Sequence, residues 1–364
     1  MIEENIQEVE PKQKSFKVKF NKFLNYISLT TSGMAIGMFA TLIIGVIIEQ
    51  IGSLTSFDFL IGMAKVLKSL MGVGIGVGVA MGQKKYSPLA IISFGVSGAL
   101  ATMVVSLRDG SLVLPFINGV QTNSNPLMPY IVVLITMFFY DLLFKKKTPL
   151  DLIIIPLFIA TIAAIFSFLL CFPLTWFVFT LGNFVQWATT VQPLLMGSII
   201  ATVMGMILTA PISSVAIAVA INLGGIAGGA AAVGCSVQMV GFMMMSIRDN
   251  NAGKVISVGI GTSMLQFQNI IKKPTIWLPT IITSALLGPL STMIFQLQTS
   301  KEGAGMGTCA LIGPLTTILE MQDNLLMAII GVLLLMIVGP ALFVFLIDLL
   351  FRKLNWIKKG DLAI

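Results

Sequence analysis

The sequence contains no histidine, and cysteine occurs only three times. Without histidine there is no Ser/His/Asp set, and no other nucleophile–base pair is readable from spacing. Cys171, Cys235 and Cys309 stand in apolar surroundings with no CxxC or other paired spacing. They read as buried free thiols, and neither a metal site nor a cofactor is expected. Charge is scarce as well. Asp, Glu, Lys and Arg make up 10% of the chain, against about 25% in an ordinary soluble domain. A soluble fold of 364 residues would need far more charge to cover its surface. A soluble enzyme is therefore the weakest reading, and lipid is the expected solvent for much of the surface.

What the chain does have is apolar length. Hydrophobic residues make up 56% of it, and the mean hydropathy is +0.98. Residues 152–247 carry no charge at all. One membrane span needs about 20 predominantly apolar residues, so this run has room for roughly three or four. Further uncharged runs cover Tyr26–Ile48, Tyr86–Leu107, Gly110–Tyr140, Pro274–Ser300 and Asn324–Ile347. A closed β-barrel would show segments of about ten residues with alternating hydrophobicity. These runs are longer and continuous, so helices are predicted.

The expected fold is an all-α polytopic membrane protein. It has about ten transmembrane helices, with one or two re-entrant hairpins in the C-terminal half. Spans are predicted near residues 27–48, 61–82, 87–107, 128–144 and 151–181, with a polar outside loop at 108–127. Apolar segments follow near 190–209, 211–230, 232–247, 255–271, 274–297 and 325–350. The segment 303–320 is short, begins Gly303-Ala-Gly-Met-Gly307 and contains Pro314. It reads equally as a crossing or as a re-entrant hairpin. Residues 24–350 form one transport domain, a scaffold half at 24–181 and a substrate half at 182–350. An N-terminal arm (1–23) precedes it and a tail (351–364) follows.

The net charge of +7 does not point to nucleic acid. Fourteen of the 22 Lys and Arg fall in four clusters: Lys12 to Lys22, Lys84–Lys85, Lys145–Lys147, and Arg352 to Lys359. That spacing fits cytoplasmic loops, with both termini in the cytoplasm. Residues 1–22 are polar and carry Glu3, Glu4, Glu8 and Glu10, which excludes a cleavable signal peptide. From Phe16 onward, Phe20, Phe23, Leu24 and Ile27 share a helical face, as in a short interfacial helix. A solvated tail is the alternative, and anionic lipid is the simplest partner for its lysines.

Two glycine arrays stand out: Gly72, Gly74, Gly76, Gly78 and Gly82, and Gly224, Gly225, Gly228 and Gly229. Neither has the strand, Lys-Ser/Thr ending or acidic partner of a nucleotide loop, so both read as close helix packing. The pattern small–Pro–aliphatic–hydroxyl–hydroxyl recurs at Ala210–Ser214, Gly288–Thr292 and Gly313–Thr317. It reads either as ordinary proline kinks or as broken helices around a transport site.

Charges near the spans are few. Glu49, Asp141 and Asp348 fall at span ends and are expected to reach water. Lys65 and Lys68 either snorkel or mark an amphipathic segment before the glycine array. Glu302 and Glu320 flank the short apolar segment and are the best carboxylates near a cavity. Uncharged polar groups cluster more tightly. Asn222 and Gln238 bracket the second glycine array, and Gln266, Gln268 and Asn269 follow Thr262 and Ser263. Amides offer donors and acceptors together, which suits a polyhydroxylated solute. Thr308 completes the candidate substrate set. Interhelical hydrogen bonding is the bland alternative for any one of these amides.

The runs Leu208–Ala218, Gly224–Phe242, Gly259–Gln266 and Gly303–Thr308 resemble the membrane C components of the phosphotransferase system. The likeness is to the second EIIC family, which includes perfringolysin-regulator-like proteins, and it spans about 24–350. It implies a sugar permease of a bacterial plasma membrane with re-entrant segments. A homodimer is also implied, working with a separate cytosolic B component that carries the phosphoryl group. Many sugar-binding C components pair a membrane histidine with a glutamate, and that pairing has no counterpart here. No fused A or B domain is expected, and no residue of this chain is expected to carry phosphoryl. Transport of another small solute without phosphoryl coupling is the alternative, followed by a membrane sensor or regulator. The amide reading predicts that Gln266→Ala or Asn269→Ala abolishes solute binding while detergent stability stays nearly intact. Normal binding by both variants would make the cluster structural.

Overall fold

The computed structural model describes residues 10–103, 105–106, 112–113, 125–144 and 148–364. Most of the predicted outside loop at 108–127, the lysines 145–147 and residues 1–9 of the arm lie outside this set. Among the described residues the regular structure is helical apart from one ladder, in which Val105–Ser106 pairs antiparallel with Leu112–Val113, and an isolated bridge between Gly225 and Thr299. Among the described residues, five helical stretches are long and apolar enough to cross a membrane. They are Asn25–Ser53, Asp151–Ala188, Gly225–Ser246, Pro274–Phe295 and Gln322–Lys353. Shorter apolar helices fill the spaces between them.

Helix α1 (Glu10–Met38) runs unbroken from the arm into the first span. A widened turn at Phe39–Ile43 leads into α2 (Ile44–Thr55). The predicted second span is two helices, α3 (Asp58–Ser69) and α4 (Met71–Gly82), bent by 48°. The break separates the lysine-bearing segment from the glycine array. Lys68 turns back to α2 and pairs with Glu49 at 2.6 Å, while Lys65 is exposed. Helices α5 (Pro88–Met103) and α6 (Leu127–Leu143) follow. Asp141 on α6 accepts from Lys85 at 2.5 Å and from the Tyr86 hydroxyl at 3.0 Å. Helix α7 (Asp151–Ala188) holds 38 residues. At 1.5 Å per residue it is about 57 Å long, well beyond a hydrocarbon core of about 30 Å.

The first glycine array brings backbones into contact on two sides of α4. A Cβ on Gly74 would meet Gly37 O at 2.6 Å, and one on Gly78 would meet Gly33 O at 2.2 Å, both on α1. A Cβ on Gly72 would lie 2.3 Å from Gly98 O, and one on Gly76 would lie 2.0 Å from Phe94 O, both on α5. Even-numbered glycines therefore alternate between two neighbours. Lipid gives helices no hydrophobic reason to associate, so this contact supplies the packing. Asp348 departs from expectation, because it is buried at 2% exposure and held by Arg352 at 2.7 Å. Cys171, Cys235 and Cys309 are buried, and among the described residues none is in a disulfide.

Two alanine substitutions should move stability in opposite directions. Gly76→Ala forces a methyl against the Phe94 carbonyl and should cost about 1–3 kcal/mol, as overpacking does. Gly62→Ala on α3 meets nothing within 4 Å, and its better helix propensity should contribute about 0.5–1 kcal/mol. Unfolding midpoints in detergent measure both. Equal midpoints for the two variants would remove the packing account.

Candidate functional site

The C-terminal half folds back on itself in three places. Helix α8 (Pro193–Thr209) stops at Ala210–Pro211, where the chain turns. Ser213 caps α9 (Ser214–Ala220) by accepting from Ala216 N at 3.1 Å. The predicted segment 211–230 is thus a seven-residue helix, a turn through Asn222, and the start of α10 (Gly225–Ser246). Both ends of this first hairpin lie at one end of the molecule. Thr292 donates to Pro193 O at 2.8 Å, and Gly225 N donates to Thr299 O at 3.0 Å.

A second hairpin starts from the same end. Lys301–Ala304 and Ile312–Glu320 are its arms, and Thr299 bonds Thr316 across its base at 2.7 Å. Its turn uses left-handed backbone at Gly307, Ala310 and Leu311. Gly307 packs on the Cys235–Ser236 backbone midway along α10, closer than any Cβ would permit.

The third hairpin comes from the opposite end. It rises through Ala252–Gly261, turns at Thr262 and returns through Ser263–Lys272. Both of its feet touch the C-terminal tail. Lys254 reaches Ile364 O, and Lys273 pairs with Asp361 at 2.6 Å. The predicted segment 255–271 is therefore two arms rather than one span.

The turns of the three hairpins meet beside Gln238 of α10. Gln238 Oε1 accepts from Trp277 Nε1 at 2.9 Å and from Thr280 Oγ1 at 3.0 Å, and Thr209 Oγ1 lies 3.3 Å away. The indole can only donate, which fixes the amide with its oxygen toward Trp277. Thr209 at the end of α8 bonds Ser263 at the turn of the third hairpin, at 2.8 Å. Thr308 of the second hairpin donates to Gly259 O of the third at 2.7 Å. Gln238, Thr209, Ser263 and Thr280 have no exposed surface. The Nε2 donor of Gln238 is buried with no partner among the described residues. Buried polar atoms are nearly always bonded, so such a donor calls for an explanation.

The ten predicted residues separate into three groups. Gln238, Thr262, Ser263 and Thr308 come together at this junction. Thr262 accepts from Met264 N at 3.2 Å and caps the returning arm. Gln266 and Asn269 are buried next to it, but they face the tail. Gln266 Nε2 donates to Leu362 O at 2.9 Å, and Asn269 Nδ2 donates to Ala363 O at 3.0 Å and to Gln266 Oε1 at 2.8 Å. Gln268 is half-buried in the same arm. Asn222, Glu302 and Glu320 are exposed, at the far end where the first two hairpins have their bases. Asn222 serves the turn through a left-handed backbone, φ 53°. Sequence reasoning missed Thr209, Trp277 and Thr280. Thr209 stands directly before Ala210–Pro211, a signal that was available.

A family model described as Phosphotransferase system, EIIC matches residues 29–364. The chain belongs to that family. No curated protein and no solved structure matches it. Membership makes it a membrane-integral transport component of the sugar phosphotransferase class. The matched region of this EIIC chain takes in all three hairpins and the tail.

The tail is held chiefly by side chains of the turn that follows α10 and of the third hairpin. Asp249 accepts from Gly360 N at 2.9 Å and Leu362 N at 3.3 Å, and Asn250 bonds both Leu362 O and Ile364 N. Burial works against ionisation of Asp361. The Lys273 hydrogen bond, the Lys358 N–H and the charges of Lys273 and Arg352 outweigh it and hold the carboxyl below its ordinary value. A depressed folded pKa gives stability that is complete above the ordinary carboxyl range and lost as pH falls through the folded value. Amide exchange at Gly360–Ile364 should therefore quicken as pH is lowered below about 4, relative to intrinsic rates. Asp361→Asn should show the fast exchange already at pH 7. Unchanged protection in that variant would dismiss the ion pair as the tie.

Proposed function

We propose that this EIIC chain is the sugar-binding permease subunit of a phosphotransferase-type system in a bacterial plasma membrane. The buried, unpartnered Nε2 of Gln238 at the meeting point of three hairpin turns carries this reading. A solute hydroxyl would complete that donor, while the Thr209, Ser263 and Thr308 hydroxyl oxygens offer acceptor capacity beside it. Gln238, Thr262, Ser263 and Thr308 are the proposed inner contacts. Gln266, Gln268 and Asn269 act behind them through the arm that meets the tail, and Asn222, Glu302 and Glu320 act at the far mouth.

Hairpins that enter from opposite ends and stop near mid-depth support alternating access. Discontinuous helices beside a mid-membrane site are a recurrent transporter design. The junction is closed, so solute reaches it when one set of turns parts from the other. With the hairpins at 193–222, 252–272 and 301–320 re-entrant, the five long stretches, the bent pair α3–α4 and the short helices α5 and α6 would make eight crossings, somewhat fewer than the ten expected from the sequence. Lys254, Lys272, Lys273, Arg352 and Lys358 gather at the tail end, which by the positive-inside tendency supports a cytoplasmic face there and cytoplasmic termini. A separate B component docks at that face, two copies form the working unit, and the chain carries no phosphoryl group itself.

Uptake of labelled sugars into proteoliposomes, with and without cytosolic phosphotransferase proteins, tests the reading. Accumulation that requires those proteins is expected. Accumulation without them would select uncoupled transport, and no sugar binding or uptake at all would refute a permease. Gln238→Glu keeps an acceptor for Trp277 and Thr280 but removes the amide donor. It should weaken sugar binding by about tenfold, the value of one hydrogen bond of about 1.4 kcal/mol. Wild-type affinity in this variant would move the site elsewhere.

A further inference from the structure

At the tail end of the molecule, a cleft of about 570 Å³ opens between α10, the tail and the last long helix, Gly339–Lys353. It is lined by Arg248, Arg352, Asn355, Ile357, Lys358 and Lys359. Four of these six residues are cationic, and none is acidic. They come from three separate segments. Arg248 follows the end of α10, and Arg352 lies in the last turn of the final helix. Lys358 and Lys359 are brought over by a sharp turn at Asn355, whose φ is 60°.

The nearby carboxylates compensate these cations only in part. Asp249 accepts from two tail amides, and Asp361 is engaged by Lys273 and by the Lys358 backbone. Asp348 is bound by Arg352 through Nε. Arg352 also donates through one terminal nitrogen to Met245 O at 3.1 Å, which leaves its other terminal nitrogen free. Arg248, Lys358 and Lys359 have no side-chain partner among the described residues. The fold thus assembles four cations around one buried carboxylate, Asp348, which Arg352 engages, and leaves an excess of positive charge in the cleft. Gathering like charges is unfavourable unless a counter-charge sits between them.

We infer that this cleft binds a phosphate-bearing anion. Guanidinium groups match phosphate oxygens in a forked geometry, and lysines add compact charge beside them. Two arginines and two lysines suit a doubly charged phosphate or closely spaced phosphodiesters. The apolar surroundings admit either a free phosphate compound or a lipid headgroup. Trp356 and Leu354 are about half exposed next to the cleft, and the helix ending there is apolar from Gly339 to Ile347. The site lies apart from the Gln238 junction and stands whether or not that junction binds sugar.

The test uses the full chain. In neutral detergent it is titrated with inorganic phosphate against chloride at equal ionic strength. In lipid nanodiscs, phosphatidylcholine alone is compared with a mixture containing phosphatidylglycerol. The unfolding midpoint should rise by about 3 °C or more in at least one arm. A rise with inorganic phosphate identifies a soluble anion, and a rise only with phosphatidylglycerol identifies a lipid headgroup. Arg248→Gln and the double variant Lys358→Gln/Lys359→Gln should lose the rise while keeping the wild-type midpoint in chloride. Lys353→Gln, exposed at the same end but outside the cleft, should keep it. No rise in either arm would overturn the site. So would an undiminished rise in the cleft variants, or its loss in Lys353→Gln.

Discussion

A helix that stops inside a bilayer leaves backbone amides and carbonyls that lipid cannot satisfy. The C-terminal half breaks its helices in three places and meets that requirement within the chain. It is met by short hydroxyl side chains placed at the breaks. Ser213 accepts from Ala216 N, Thr262 from Met264 N and Ser300 from Gly303 N. Ser214 donates to Gly305 O and Thr308 to Gly259 O, so one hairpin also satisfies the next. The breaks are mutually dependent.

This dependence accounts for the concentration of polarity around Gln238. Polar side chains required to close the backbone are already buried and already oriented. Little further is needed to turn such a junction into a recognition site, beyond a donor left over. The amides at 266 and 269 illustrate the other outcome. They are as buried as Gln238, but carbonyls of Leu362 and Ala363 use their donors. Polar clusters in this chain therefore divide into one that faces other turns and one that faces the chain's own tail.

Much of this was legible in the sequence. Apolar runs and scarce charge indicate a helical membrane protein, and the alternating glycines of α4 foretell close packing. The proline–hydroxyl pattern marks the breaks at Pro211 and near Pro314. Pro289, in contrast, sits within a helix that continues past it into a widened turn. What the sequence could not show is where a side chain far along the chain would land. Thr209 meets Ser263 across 54 positions, and Asn269 meets Ala363 across 94. Local pattern carries no information about such pairings, so the amides read alike from spacing and differ in the fold. The burial of Asp348 was hidden for the same reason, since its position one turn from the helix end reads as an exposed one.

The glycine seams of α4 have a mechanical meaning. Where side chains interdigitate, a helix can slide by exchanging rotamers, one small step at a time. Where carbonyl meets Cα, as at Gly33 and Gly78 or Gly72 and Gly98, there are no rotamers to exchange. The slab of α1, α4 and α5 can lift apart or stay shut, with no graded positions between. Such a seam makes these three helices the stiffest contact in the fold, a frame against which other elements can move.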